Sequence, residues 1–475
     1  MLLIKIITDK YYIYCETIKK SSYKNIFNVK LALLYLSQIN GTIHVLIIII
    51  FTIRKMKIMF KKSVLTFAFI LLSGNIFSQA EKEIPPPYNI KTVSFVQNGQ
   101  NAVPLFRLGD SFQVQFDDLY GNEANYYYTI THCDYDWKPS QLAKAEYLNG
   151  FDDQRIQDYS NSLNCLQLYS HYRLSFPNRF TQFRVSGNYV IKILNDDKEV
   201  VFTKRFILYE ELVTVPLQIK RARNLSVVEQ KHNLDFAIKS ATINFQSPLQ
   251  NVKVMLLQNG RIDNAITNIK PQYTIGNDLI YKYDAETQFW AGNEFHFFEN
   301  KDIRAANNSI ATVDSKGGVY NAHLYLDQSK ANFPYTYFPD INGNFIVKNI
   351  GAQNNEIEAD YAWVFFSLSA PSLYGTKSIY VNGMFNNFAM SDENKMDYNA
   401  EKGIYEKALM IKQGFTNYQY VISDNKGKID QENAIDGNFF QTENNYFVLV
   451  YYKENNQRYD RIIGKGIASS VDITN

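Results

Sequence analysis

The chain has 475 residues, with 49 lysines and arginines against 47 aspartates and glutamates. Residues 1–80 hold 11 of the basic residues and two of the acidic ones, so the chain from residue 81 onward has 38 basic and 45 acidic residues and a net charge of −7. A mildly acidic chain without a basic stripe does not match the phosphates of nucleic acid, and this class of partner is excluded.

Residues 56–80 read MKIMFKKSVLTFAFILLSGNIFSQA, which is the pattern of a secretory signal peptide. Lysines precede an apolar core at 64–72 that is too short to anchor in a bilayer, and Ser78 and Ala80 suit a signal peptidase. We predict cleavage after Ala80 and no transmembrane segment in the mature chain.

A signal peptide begins a protein, so residues 1–55 are predicted to be a spurious or unstructured N-terminal extension. The alternative is that residues 43–53 enter a membrane. They number 11, whereas a spanning helix needs about 20 apolar residues.

Two cysteines, Cys133 and Cys165, remain after cleavage. Export would permit a disulfide, but a chain of this length does not need one, so pairing and free thiols both stay open. Neither a CxxC motif nor a Cys/His spacing of the metal-binding kind is present, and we predict no metal and no cofactor.

From residue 90 onward the chain alternates short runs rich in Val, Ile, Tyr and Phe with turns of Asn, Asp and Gly. This pattern predicts an all-β protein of tandem β-sandwich domains that are immunoglobulin-like or E-set-like. The predicted divisions are a Pro-rich tether at 81–89 and sandwich domains at 90–210, 211–357 and 358–475.

The run LGDSFQVQFDDL, residues 108–119, alternates apolar and polar side chains and predicts a half-buried sandwich strand. Tyr126 to Thr131 are predicted to form its neighbour after the turn GNEAN. A long polar loop follows at 134–168, and loops of this length are usually functional or locally helical.

Four carboxylates lie close together in this stretch, namely Asp117, Asp118, Asp134 and Asp136. Paired acids can catalyse glycoside hydrolysis. However, Asp117 and Asp118 are adjacent on one strand and point to opposite sides, and acids in turns commonly accept backbone hydrogen bonds. We therefore predict a structural corner or a partner-contacting loop, and no enzyme.

Other candidates have two interpretations each. Trp137, Trp290 and Trp363 are platforms for sugars or partner proteins if exposed, or core residues if buried. Asn342-Gly343, within DINGNF, predicts a tight hairpin turn rather than a calcium loop, which needs more oxygen ligands.

Residues 106–151, FRLGDSFQVQFDDLYGNEANYYYTITHCDYDWKPSQLAKAEYLNGF, and the following IQDYSNSLNCLQLYSHYRLSFPNRFTQFRVSGNYVIKILND resemble the first domain of the type IX secretion system plug proteins of Bacteroidetes. AGNEFHFFE and DINGNF extend the resemblance. The segment YVNGMFNNFAM…GIYEKAL…YQYVISD is also similar to carbohydrate-binding E-set modules, with Phe388 and Tyr405 where those modules carry tryptophans.

The resemblance implies a non-enzymatic periplasmic protein associated with the outer membrane. It would close the periplasmic side of a large β-barrel translocon protein, its partner. An exported glycan-binding sandwich protein is the alternative. The candidate partner-binding residues centre on the acidic-aromatic loop 134–151 and are Asp117, Asp118, Asp134, Asp136, Trp137, Tyr147 and Phe151.

Overall fold

The computed structural model describes residues 79–371, 373 and 377–474. The predicted extension 1–55 and nearly all of the predicted signal peptide lie outside these residues. Ala80 is exposed, and the tether that follows has no regular secondary structure before a turn at 88–89. The tether packs along strand residues 203–205, where the Thr203 amide donates to the Ile84 carbonyl at 3.0 Å.

The described chain is almost entirely β-structure, as predicted. Its α-helices are single turns: α1 Lys144–Tyr147, α2 Pro248–Asn251 and α3 Asn355–Glu358. Short 3-10 turns occur at Lys316–Gly318, Met384–Asn386 and Ser470–Asp472. Among the described residues, no helix is long and apolar enough to cross a membrane.

The first sandwich packs two five-stranded sheets around an aromatic core. Sheet A has the strand order β2-β1-β4-β9-β8, sheet B has the order β3-β12-β11-β5-β7, and β6 pairs with β10. In the core, the rings of Phe106 and Phe112 stack at 4.2 Å. The strands are β1 Ile90–Gln97, β2 Gln100–Ala102, β3 Leu105–Arg107, β4 Phe112–Asp118, β5 Tyr127–Cys133, β6 Leu148–Gly150, β7 Gln154–Arg155, β8 Asp158–Asn161, β9 Ser170–Phe176, β10 Thr181–Phe183, β11 Gly187–Leu194 and β12 Val200–Tyr209.

One prediction for this sandwich is wrong. Strand β5 is not the neighbour of β4, because β4 pairs with β1 and β9 in sheet A while β5 pairs with β11 in sheet B. The segment GNEAN therefore carries the chain from one sheet to the other. The predicted long loop 134–168 contains α1 and strands β6, β7 and β8.

The second sandwich joins segments that are far apart in the sequence. Sheet C has the order β13-β14-β17-β16, with β18 also paired to β14, and sheet D has the order β15-β29-β30. The strands are β13 Leu217–Arg221, β14 Lys231–Ile238, β15 Val252–Gln258, β16 Tyr273–Ile275, β17 Asp278–Tyr281, β18 Gln288–Trp290, β29 Asn445–Tyr452 and β30 Arg461–Ser469.

The third sandwich lies between β18 and β29 in the sequence and has its own core. Sheet E has the order β19-β28-β23, with β25 also paired to β28, and sheet F has the order β20-β21-β24-β27-β26, with β22 paired to β24. The strands are β19 His296–Glu299, β20 Ile310–Asp314, β21 Tyr320–Leu324, β22 Asp327–Gln328, β23 Phe345–Val347, β24 Tyr361–Ser369, β25 Lys377–Asn382, β26 Asp397–Asn399, β27 Ile404–Lys412 and β28 Gly414–Asp424.

The domain boundaries at 211–357 and 358–475 stay a prediction, but the pairing supports a different division. Strand β29, which was predicted to belong to the third domain, pairs with β15 from Tyr446 to Tyr452. We therefore propose a discontinuous second domain with the third domain inserted into it.

Both outer faces of the first sandwich are covered. Sheet B packs on sheet D through a shared apolar layer that includes Val190, Ile207, Leu257 and Leu449. The outer face of sheet A meets the third sandwich, where Tyr169 packs edge-on against Tyr361 with ring centroids 5.4 Å apart. The polar face of β4 therefore lies against another part of the protein. The prediction of a half-buried strand is wrong, because Gln115 and Asp117 on that face are also buried.

Candidate functional site

Asp117 and Asp118 end strand β4 and, as predicted, point to opposite faces; both are fully buried. Asp118 closes the corner after the strand. Its Oδ2 accepts a hydrogen bond from the Tyr126 hydroxyl at 2.9 Å, and its Oδ1 accepts from the Asn89 amide at 2.8 Å. This carboxylate therefore fixes the segment by which the chain passes from sheet A to sheet B.

Asp117 points to the third sandwich and joins it to the first. Its Oδ2 accepts hydrogen bonds from Lys412 Nζ at 2.7 Å and from the Tyr361 hydroxyl at 2.6 Å. Its Oδ1 lies 2.6 Å from Nδ1 of His171 on β9. Lys412 ends β27 and Tyr361 begins β24, so the strand ends of sheet F supply two of the three donors.

The charges in this cluster stabilise one another. Burial disfavours the Asp117 carboxylate, but Lys412 and His171 outweigh that effect and hold its pKa below the usual range. Lys412 also donates to the Glu356 carbonyl at 2.7 Å and lies 4.2 Å from the ring centroid of Tyr169. A buried carboxylate so fully bonded acts as a structural link, because a substrate has no access to it.

A second set of contacts fixes the loop between β8 and β9 against the third sandwich. The Asp360 carboxylate accepts backbone hydrogen bonds from Leu166 at 2.6 Å and from Gln167 at 3.1 Å. Arg173 bridges the carboxylates of Asp158 and Glu356 at 2.7 and 2.9 Å. The first and third sandwiches are thus joined by both side-chain and backbone bonds.

Residues 134–138 form a turn at the start of the acidic-aromatic loop, which we call the acidic-aromatic turn. It lies on the side of the first sandwich that faces the second. The Trp137 amide donates to the Asp134 carbonyl at 2.9 Å, and Trp137 takes a left-handed φ of 62°. Its indole is 6 % exposed, and the Arg205 guanidinium lies 4.4 Å from the ring centroid. The exposed Asp136 pairs with Lys138 at 2.7 Å.

Tyr135 and Asp134 of this turn bind the second sandwich. The Tyr135 hydroxyl donates to the Val254 carbonyl at 2.7 Å and accepts from the Asn268 amide at 3.0 Å. Asp134 Oδ1 accepts from the Asp460 amide at 3.1 Å, and burial raises the pKa of Asp134. The turn therefore contacts sheet D and its connections.

The remaining candidates differ in exposure. Tyr147 is buried at the end of α1, and its hydroxyl donates to the Ile130 carbonyl at 3.2 Å. Phe151 is 73 % exposed. Of the seven predicted contact residues, Asp136 and Phe151 are the ones with exposed side chains, whereas Asp117, Asp118, Trp137 and Tyr147 are buried in the protein.

Exposed apolar side chains that the sequence reasoning missed lie on the loop between β8 and β9 and at the corner after β4. They are Tyr120, Leu163, Leu166 and Leu168, which we call the leucine loop surface; each is between 49 % and 68 % exposed. Gly121, next to Tyr120, lies against Leu168. The signal was present as three leucines in the otherwise polar run NSLNCLQLY.

Trp290 and Trp363, two of the rings proposed as sugar platforms, are half-buried in the described structure. Lys231 Nζ lies 4.1 Å from the Trp290 ring centroid, and Trp363 packs beside Tyr361. Arg261 lies 4.3 Å from the centroid of Phe388, and Tyr405 is buried. Of the two E-set positions, Tyr405 is therefore a core residue, whereas Phe388 is half-buried beside Arg261.

The motifs AGNEFHFFE and DINGNF meet at the junction of the second and third sandwiches. Buried Glu294 accepts from the Tyr335 hydroxyl and from the Glu443 amide, and burial raises its pKa to about 7. The predicted turn is present, since Asn342 and Gly343 have φ values of 53° and 82°. It is not the predicted hairpin turn, because the described residues 329–341 before it form no strand.

Charged His296 lies at the same junction, between Asp327 at 3.3 Å and Asp436 at 3.1 Å. Burial disfavours the imidazolium, but the two carboxylates outweigh that effect and raise its pKa to about 9. Within the described ranges, no three His, Cys, Asp or Glu side chains converge as metal ligands. Cys133 and Cys165 are both free thiols.

The fold and the candidate site define a multidomain β-sandwich protein whose buried polar residues join its domains. Residues 90–210 match the family model described as "Type 9 secretion system plug protein 1st domain". These are also the bounds predicted for the first domain. The chain belongs to the type 9 secretion system plug protein family.

A solved structure is similar over most of the chain. It is the crystal structure of a hypothetical protein from Parabacteroides merdae ATCC 43184, with 31 % identity and a TM-score of 0.78. The alignment covers 82 % of this chain and 100 % of that one. No curated protein matches the chain.

Proposed function

We propose that this protein is a non-enzymatic plug that closes the periplasmic side of the outer-membrane barrel of the type IX secretion translocon. The match of residues 90–210 to the first domain of the plug proteins carries this proposal. The protein would be exported through its signal peptide and would act in the periplasm at the outer membrane. It would act by steric blockage, because a wide barrel lets small solutes through unless a folded protein occupies its periplasmic opening.

A protein that blocks a pore must be rigid. The packing of the first sandwich supports this role. One outer face is held by an apolar layer and the other by the buried Asp117 cluster and the Asp360 contacts. Interfaces between domains are often small and allow motion. Here two different kinds of contact restrain the first sandwich from opposite sides.

We propose two exposed features as the contacts with the barrel. Asp136 and Phe151 are the exposed members of the acidic-aromatic loop. The leucine loop surface adds an apolar patch on backbone that the Asp360 carboxylate fixes in place. Apolar anchors on a preorganised loop, surrounded by polar residues, suit an interface that must also release.

The first experiment is recovery of a C-terminally tagged protein from mild-detergent extracts of outer membrane, followed by mass spectrometry. Stoichiometric recovery of one very large barrel protein supports the proposal. Recovery of the protein alone, or with polysaccharide-binding proteins, overturns it. A leak assay for small solutes in cells that lack the protein tests closure separately.

The contact residues are tested with variants that leave the core intact. Phe151→Ala and the triple variant Leu163→Ser, Leu166→Ser, Leu168→Ser are expected to weaken recovery of the barrel. Leu225→Ser is the control, because Leu225 is 87 % exposed but lies on the second sandwich. If all three proteins recover the barrel equally, the proposed surfaces are not the contacts.

A further inference from the structure

The first residues of the predicted tether, 81–84, lie beside strand β12, and we call them the strap. Strand β12 pairs with β11 along one edge, and on the other edge β3 pairs with it from Ile207 to Tyr209. Thr203 and Arg205 come just before that stretch, and their backbone amides point to the strap. The strap therefore lies where a further strand could pair with sheet B.

The strap does not make the regular hydrogen-bond ladder of a paired strand. The Thr203 amide donates to the Ile84 carbonyl at 3.0 Å. The Arg205 amide donates instead to a side-chain atom, Glu83 Oε1, at 2.6 Å. The Ile84 amide donates to the Thr203 hydroxyl at 2.7 Å. Because an extended polypeptide pairs with an open sheet edge through its backbone, such a segment can supply carbonyls to both amides of β12.

Three cations surround the strap. Lys192 Nζ lies 2.8 Å from Glu81 Oε1, and the two side chains are 25 % and 23 % exposed. Lys204 Nζ lies 3.2 Å from Glu83 Oε2, and this lysine side chain is 11 % exposed. The Arg205 guanidinium donates to the Glu81 carbonyl. An occupant without acids would leave two partly buried lysines unpaired, so the site favours a segment with two acids separated by one residue.

Little apolar surface holds the strap in place. Its one apolar side chain, Ile84, is 45 % exposed, and Lys82 and Glu83 are exposed as well. Its first residue is fixed by the hydrogen bond from the Glu81 amide to the Trp137 carbonyl at 2.8 Å. Ion pairs near the surface contribute little to stability and are weakened by salt. A longer segment that adds its own contacts can therefore displace the strap.

We propose that the edge of β12 beside Lys192 and Lys204 binds an extended acidic segment of a partner protein, and that the strap occupies this site when the partner is absent. Two carboxylates of the partner, two positions apart, pair with the lysines, and its backbone adds a strand to sheet B. A small anion would satisfy a lysine but would offer no backbone to the edge. The inference does not depend on the plug function, because it uses only contacts within residues 81–210.

Hydrogen exchange followed by mass spectrometry measures this site directly, because the Thr203 and Arg205 amides are the groups that an occupant must cover. The site is opened in the chain from residue 81 onward by the double substitution Glu81→Lys, Glu83→Lys, which places like charges beside the two lysines. In this open variant, the segment 200–209 is expected to take up about two more deuterons than in the unmodified chain, one for each amide.

Peptides then test the class of ligand. Acetyl-GETEVGSG-amide carries two glutamates two positions apart, and acetyl-GQTQVGSG-amide is its neutral counterpart. The acidic peptide is expected to restore the protection of segment 200–209 in the open variant with an affinity about tenfold or more above that of the neutral one, because hydrogen bonds between charged groups are stronger. The unmodified chain is expected to bind it more weakly, because the strap competes as an intramolecular ligand.

Single substitutions in the open variant locate the site. Lys192→Gln is expected to weaken the affinity for the acidic peptide about tenfold, because one of the two carboxylates then lacks its cation. Lys231→Gln is the matched control, since Lys231 lies beside Trp290 on the second sandwich, and it is expected to leave the affinity unchanged. Thermal unfolding of each variant shows whether the fold is kept.

Four results would overturn the proposal. Unchanged exchange of segment 200–209 in the open variant would mean that the two carboxylates do not hold the strap. No protection by the acidic peptide at about 10 mM, above the millimolar effective concentration of a short tether, would mean that the edge accepts no external segment. Equal protection by the neutral peptide would remove the selection for acids. Equal protection by sodium sulfate would make this an anion site without strand pairing.

Discussion

Replacement of Lys412 by Met tests whether the buried link between the first and third sandwiches stabilises the protein. The Lys412 side chain is 3 % exposed, and its partner Asp117 is fully buried. The substitution leaves the Asp117 carboxylate with His171 and Tyr361 but without its cation. Removal of one partner of a buried ion pair lowers the free energy of unfolding by about 3–5 kcal/mol. Because two donors to Asp117 remain, we expect a loss near the lower value.

The assay is urea unfolding followed by tryptophan fluorescence and circular dichroism. The midpoint of the first transition is expected to fall for Lys412→Met. The matched control is Lys402→Met, since Lys402 is an exposed partner of Glu406 and surface pairs contribute about 0–1 kcal/mol. The double variant Asp117→Asn, Lys412→Met removes both charges and is expected to recover part of the loss.

The contribution of Asp117 to the stability of the folded protein depends on pH in a defined direction. The folded pKa of Asp117 is lowered, so its contribution is present above the unfolded value near 3.8 and is lost as the pH falls through the lower folded value. Lys412→Met should therefore reduce stability at neutral pH more than under strongly acidic conditions. A loss equal to that of Lys402→Met at pH 7 would refute the reasoning.

Three further predictions concern the turn, the junction and the DINGNF motif. Trp137→Ala removes a buried indole and is expected to cost about 3–5 kcal/mol, whereas Phe151→Ala is expected to change the unfolding midpoint little; equal effects on the two midpoints would contradict the observed burial. Glu294 has a folded pKa of about 7, above its usual 4.5, so its contribution is present below 4.5 and is lost as the pH rises through 7. Glu294→Gln should flatten the fall in melting temperature between pH 5 and 8, and an unchanged slope would contradict this. Gly343→Ala should lower the melting temperature, because φ is 82° and a Cβ would lie 2.7 Å from the Phe295 ring; an unchanged melting temperature would exclude that crowding.

Local structure could be predicted from the sequence where a single local preference determines it. The alternation in LGDSFQVQFDDL predicted strand β4 and the opposite directions of Asp117 and Asp118, because side chains of a strand alternate. Asn342-Gly343 predicted its turn, because both residues tolerate a left-handed backbone.

The residues that the candidate side chains contact could not be predicted from the sequence. Asp117 binds Tyr361 and Lys412, which lie 244 and 295 positions away, and no local pattern indicates such contacts. Trp137 was a candidate contact residue because the acidic-aromatic loop is long and contains this tryptophan, and a core position was left open as the alternative. The loop folds back on the second sandwich, and Arg205 covers the ring.

The insertion of the third sandwich also governs the order in which the chain can fold. Sheet D consists of β15 from the middle of the chain and of β29 and β30 from near its end. Its first paired residues, Gln258 and Tyr446, are 446 − 258 = 188 positions apart, so the sheet cannot form until those further residues have been synthesised. Until then, the apolar sides of β13, β14 and β15 have no partner sheet, and transiently exposed surfaces of this kind are prone to aggregation. The nascent protein is therefore expected to depend on holding chaperones until its final two strands arrive, and loss of those strands should leave two of the three sandwiches without their packing partner.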